Sequence, residues 1–82
     1  MSKASFKLSV LTPEKELFAG EAVSLAARAE DGEIGILANH APLLTLLGKG
    51  RIRFTTSKGE SREFKTEQGF LKVSNNQVTA LL

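Results

Sequence analysis

The 82-residue chain has no cysteine, no tryptophan and no tyrosine, with one histidine and two prolines. Without cysteine no disulfide can staple it, and thiolate metal sites are excluded. That absence fits a reducing compartment. With His40 as the lone histidine, any histidine-paired nucleophile would have to be built around one loop. The inventory for an enzyme is thin. No apolar run approaches the ~20 residues of a membrane-spanning helix. The longest, Ala41 to Leu47, is interrupted by Pro42 and Thr45. Residues Met1 to Ser5 lead straight into an alternating segment with no signal-peptide core, so a soluble mature chain is expected. The seven glycines are scattered at turn positions, and neither GxxxxGK[ST] nor GxGxxG occurs. Nucleotide binding through those loops is excluded.

What the chain does have is period-two alternation. Phe6, Leu8 and Val10 alternate with Lys7 and Ser9, and Thr12-Pro13 ends that strand. Leu17-Phe18 form a short apolar piece stopped by Gly20. Val23, Leu25, Ala27 and Ala29 make a longer strand. Asp31-Gly32 supplies a tight hairpin turn, and Ile34, Ile36 and Leu37 return from it. Leu43, Leu44, Leu46 and Leu47 are apolar on both sides, as in a strand covered on both faces or a turn or two of buried helix. Gly48 and Gly50 close that segment. Ile52 and Phe54 alternate with arginines, Lys58-Gly59 turns the chain, and Phe64 sits among charges. Gly69 marks a bend or bulge. Leu71 and Val73 lead to an Asn75-Asn76 hairpin turn, and Val78 to Leu82 is the last strand.

Short strands with turns at about 8–12-residue intervals predict an all-β sandwich of two packed antiparallel sheets, as a single domain over residues 1–82. A chain this short buries only ~60% of its unfolded surface, so a partner covering one face would add needed stability.

The net charge of +2 is unevenly spread. Residues 1–42 hold six acids and four bases, whereas residues 43–82 hold three acids and seven bases. Such a split can mark a surface that meets a charged partner, although alternating strands also place polar residues outside as a matter of course. Lys49, Arg51, Arg53, Lys58, Arg62 and Lys65 come close together, which raises a small nucleic-acid-binding β-barrel as an alternative function. The stacking aromatics of such a barrel are missing: Phe6, Phe54 and Phe64 fall on apolar faces. Glu30, Asp31 and Glu33 cluster at a hairpin tip but lack the spacing of a calcium loop, so no metal site is assigned.

The segment Gly32 to Leu44, GEIGILANHAPLL, resembles the epsilon subunit of the rotary F-type ATP synthase. FKLSVLTPEKELFAGEAVSL near the start and GFLKVSNNQVTALL at the end agree in order and spacing, so the resemblance runs from Phe6 to Leu82. It implies a flattened sandwich of about ten short strands. It also implies a non-catalytic central-stalk subunit of a proton-translocating ATP synthase, joining the gamma subunit to the c-ring. No cofactor, small-molecule substrate or nucleic acid is implied, and membrane contact would come only through the complex. The expected location is peripheral, on the cytoplasmic face of the bacterial inner membrane or its equivalent.

Carried over by position, the resemblance implies that Glu30, Asp31, Gly32 and Glu33 meet the c-ring and that His40 and Thr45 lie near gamma. Ala38 stands where many relatives have proline, and Glu67-Gln68-Gly69 replaces a small-residue pair before glycine. Typical relatives continue past the position of Leu82 into a two-helix domain with a braking role and, in some members, a weak ATP site. No residue here can be assigned to either.

Overall fold

A computed structural model describes residues 4–82. Among these residues there are seven strands and no helix. These are β1 (Phe6–Leu11), β2 (Glu16–Ala29), β3 (Gly32–Leu37), β4 (Leu43–Thr56), β5 (Ser61–Thr66), β6 (Gly69–Ser74) and β7 (Gln77–Leu81). Strands neighbour one another in the order β3-β2-β1-β7-β6-β4-β5, and β2 also pairs with β4. That extra pairing closes a ring. The first half of β2, β1, β7, β6 and the first half of β4 make one layer. The second halves of β2 and β4, flanked by β3 and β5, make the other. The β-sandwich expected from the alternation is thus present, as a flattened and closed one.

The strand count is seven rather than ten, and two long strands that read as four account for two of the three. Gly20, Gly48 and Gly50, which read as strand ends in the sequence, lie inside β2 and β4. Each of these 14-residue strands bends from one layer into the other instead of stopping. At the β4 corner the register moves two positions along β2, from Ala27 to Ala29, against five along β4, from Ile52 to Leu47. Gly50 turns that corner with φ +156, and a Cβ on it would stand 3.3 Å from Cβ and Cδ of Arg28. A second departure is the parallel pairing of β1 with β7; every other pairing is antiparallel. These strands come from opposite ends of the chain, so no hairpin dictates their direction.

The turns also differ by a residue in one place. Ala29 pairs with Gly32, so the β2–β3 loop is Glu30-Asp31, and the positive φ (+128) falls on Gly32 as it enters β3. At the β6–β7 hairpin Ser74 pairs with Gln77, and Asn75 and Asn76 both take left-handed φ values (52° and 60°). That is the geometry a two-residue hairpin loop needs.

The inward residues of both layers form one core. Phe6, Leu8 and Val10 of β1, Leu71 and Val73 of β6, and Val78 and Ala80 of β7 meet Leu25, Ala27, Ile36, Ile52 and Phe54 of the opposite layer. Phe54 also joins Phe18 and Phe64 in an aromatic group, with ring centroids 4.7 and 6.1 Å away. Among the described residues no helix is long and apolar enough to cross a membrane.

Candidate docking surfaces

Strand β3 separates the two groups of residues singled out in the sequence. The acidic loop precedes it and the His40 loop follows it. At ~3.3 Å rise per residue, six residues hold the two loops ~17–20 Å apart, at opposite ends of the sandwich.

At the first end, Glu30, Asp31 and Glu33 are exposed and Gly32 is half-buried. The Glu30 amide donates to the Leu46 carbonyl (3.2 Å), which seats the hairpin against β4. Glu33 lies opposite Arg28 in the β2–β3 register. Among the described residues none of these three carboxylates is in an ion pair, and no group of three acids or histidines is placed to hold a metal. The hairpin tip therefore presents unpaired negative charge on a short, well-anchored turn.

At the other end, Ala38 to Pro42 connect β3 to β4 without strand pairing. His40 is half-buried, and its Nδ1 lies 2.7 Å from the Ala41 carbonyl oxygen, so the ring is held by its own loop. Thr45 is half-buried on the inward side of β4, opposite Leu71. The structure does not bring His40 and Thr45 together in one contact.

Beside Thr45 lies a surface that the sequence pattern concealed. Leu44 and Leu46 point away from the core and are 70% and 55% exposed, so β4 is covered on one face only. The expectation of a strand covered on both faces fails here because, among the described residues, no second layer lies over the outer side of β6 and β4. Leu46 pairs with Phe70, Phe70 with Leu81, and Leu81 with Leu11. Phe70, Leu81 and Leu11 are half-buried, giving an apolar stripe across four strands. The signal was available in principle: outward positions of a one-sided sheet are ordinarily polar, and Leu44, Leu46 and Phe70 are not.

Three of the basic residues of the second half are engaged with acids. Arg51 donates to Glu63 (2.7 Å), Arg53 lies 4.0 Å from the same carboxylate, and Arg62 lies 3.9 Å from Glu60 and over the Phe18 ring. Phe6 and Phe54 are buried and Phe64 half-buried, so these rings offer little to stacking bases.

A closed two-layer sandwich with an exposed acidic tip and an exposed apolar stripe places the chain among small all-β domains. The family model for the ATP synthase delta/epsilon chain beta-sandwich domain matches residues 5–82. The chain belongs to that family. It is 41% identical over 76 residues to the ATP synthase epsilon chain of Dichelobacter nodosus, covering 93% of this chain and 53% of that one. It is 40% identical over 80 residues to the epsilon chain of Chlorobium limicola, covering 98% and 91% respectively. The chain thus spans about half of the first relative and nearly all of the second. The fold matches a chain in a Euglena gracilis mitochondrial ATP synthase structure (OSCP/F1/c-ring) with TM-score 0.88 at 19% identity, over 99% of this chain and 52% of that one. A chain in a Tetrahymena thermophila mitochondrial central stalk and c-ring structure matches with TM-score 0.79 at 20% identity, over 99% and 65%. The nucleic-acid alternative finds no support in these matches.

Proposed function

We propose that this chain serves in the non-catalytic central stalk of a proton-translocating ATP synthase, its sandwich domain joining the gamma subunit to the c-ring. The observation that carries this is the family match over residues 5–82, to which the Chlorobium limicola epsilon chain adds a relative of nearly the same length. The placement of the two candidate loops at opposite ends of β3 supports it. A connector needs two separate contacts on a body that does not give, and packed cores have low compressibility. The acidic tip Glu30 to Glu33 is the c-ring contact in this proposal. The gamma contact in this proposal is the His40 loop with Thr45, extended over the outer face of β4 by the exposed Leu44 and Leu46. The complex would hold the chain peripherally on the cytoplasmic face of the inner membrane.

Stoichiometric co-purification with the gamma subunit tests the assignment, and failure to bind gamma at micromolar concentration would overturn it. For the c-ring contact, Asp31→Lys is a cleaner probe than a change at Glu33, which would confront Arg28. Asp31→Lys is expected to leave the melting temperature unchanged. It should weaken rebinding to depleted ATP synthase membranes about fivefold, roughly 1 kcal/mol for an interfacial charge, and less at high salt. Rebinding that ignores both the charge and the salt would remove the tip from the interface.

A further inference from the structure

We propose that Asn76 positions the Ala38–Pro42 loop for docking by tying it to the start of β1; the docking half of this rests on the gamma assignment above. The Asn75-Asn76 hairpin needs two left-handed residues, which glycine would supply equally well. Turn geometry alone therefore does not call for the Asn76 side chain. Its carboxamide does something else. Oδ1 accepts the Asn39 amide N–H (2.7 Å), and Nδ2 donates to the Ser5 carbonyl (2.9 Å). The Asn76 main-chain carbonyl also accepts the Lys7 N–H (3.1 Å). One half-buried residue thus joins the β6–β7 turn to segments 37 and 71 residues away in the chain.

The partners define the chemistry. One is a donor and the other an acceptor, and the carboxamide meets both at once through two separate atoms. Aspartate would set a carboxylate against the Ser5 carbonyl, and glycine would bond neither. Asn39 is itself left-handed (φ 63), an uncommon conformation for a residue with a side chain. His40 follows it directly. Among the described residues, no other side-chain bond ties this loop to a distant segment. Asn75, by contrast, is exposed and makes no such bond among the described residues, although it shares the same backbone geometry. Holding the loop before it meets a partner removes part of the ordering cost of association.

The test compares Asn76→Gly with Asn75→Gly in this chain, by amide hydrogen exchange and by calorimetric titration with isolated gamma subunit. Both variants keep a residue that accepts left-handed φ, so both hairpins should form. Asn76→Gly is expected to speed exchange at Asn39 and His40 and to weaken gamma binding about tenfold. Asn75→Gly should do neither, and Asn76→Asp should fall between. Unchanged exchange in Asn76→Gly overturns the tie. Faster exchange with unchanged gamma affinity overturns the docking role while leaving the tie. If the unaltered chain does not bind gamma, the proposed function itself fails, and the exchange measurement still decides whether Asn76 holds the loop.

Discussion

Gly69→Ala is expected to lower the melting temperature by roughly 12–24 °C, the equivalent of about 3 kcal/mol in a domain of this size. A Cβ on Gly69 would stand 2.0 Å from the Leu81 carbonyl oxygen and 3.0 Å from its carbonyl carbon. Both obstacles are backbone, so no rotamer change relieves them. The β6–β7 ladder, in which Phe70 pairs with Leu81, would have to shift, and with it the bond from the Leu82 amide to the Leu11 carbonyl (2.8 Å). Small domains hold only ~4–12 kcal/mol of stability, so the loss is a large share of the whole. Gly35→Ala is the control. The nearest atom to its added methyl is 4.0 Å away, and the change should be within about 1 kcal/mol of neutral. Thermal and urea unfolding followed by far-ultraviolet circular dichroism would read both variants. Equal stability of the two would mean that the close approach of β6 to β7 is not a constraint.

The double change Leu44→Glu with Leu46→Glu is expected to weaken gamma binding by roughly 100-fold while leaving the fold intact. Burying an exposed leucine contributes about 1.5–3 kcal/mol, and an interface would lose most of that for each side chain. Both leucines already face solvent, so the isolated domain should lose little. The changes should also reduce any self-association driven by the open stripe. Calorimetric titration against gamma, with a melting curve for each variant, separates the possibilities. Unchanged affinity would take the stripe out of the interface, and a collapse of the melting temperature would show that the leucines serve the fold instead.

How much of this was legible before folding depends on the range of the interaction concerned. The alternation of Phe6, Leu8 and Val10, or of Leu71 and Val73, is a local pattern that names the inward residues directly, and each of these is buried. The Asn75-Asn76 hairpin is equally local. The family signature Gly32 to Leu44 was readable because it is contiguous, and it carried the functional assignment with it.

Matters of distant contact were not legible. Whether a glycine ends a strand or lets it bend depends on which strands lie beside it. Gly20, Gly48 and Gly50 therefore read as stops, yet proved to lie inside strands that cross between layers. The pattern of Leu43 to Leu47 names apolar residues but not the layer that would cover each side. Only the packed structure shows that Leu44 and Leu46 lie uncovered. The same holds for Asn76, whose partners Ser5 and Asn39 are far away in the chain and close only in space. By itself the sequence determined the alternating β pattern, most of the turns and the family, because these rest on neighbouring residues and contiguous motifs. Tertiary structure alone decided the closure of the two layers, the open apolar face and the tie across the His40 loop, because each requires residues that only folding brings together.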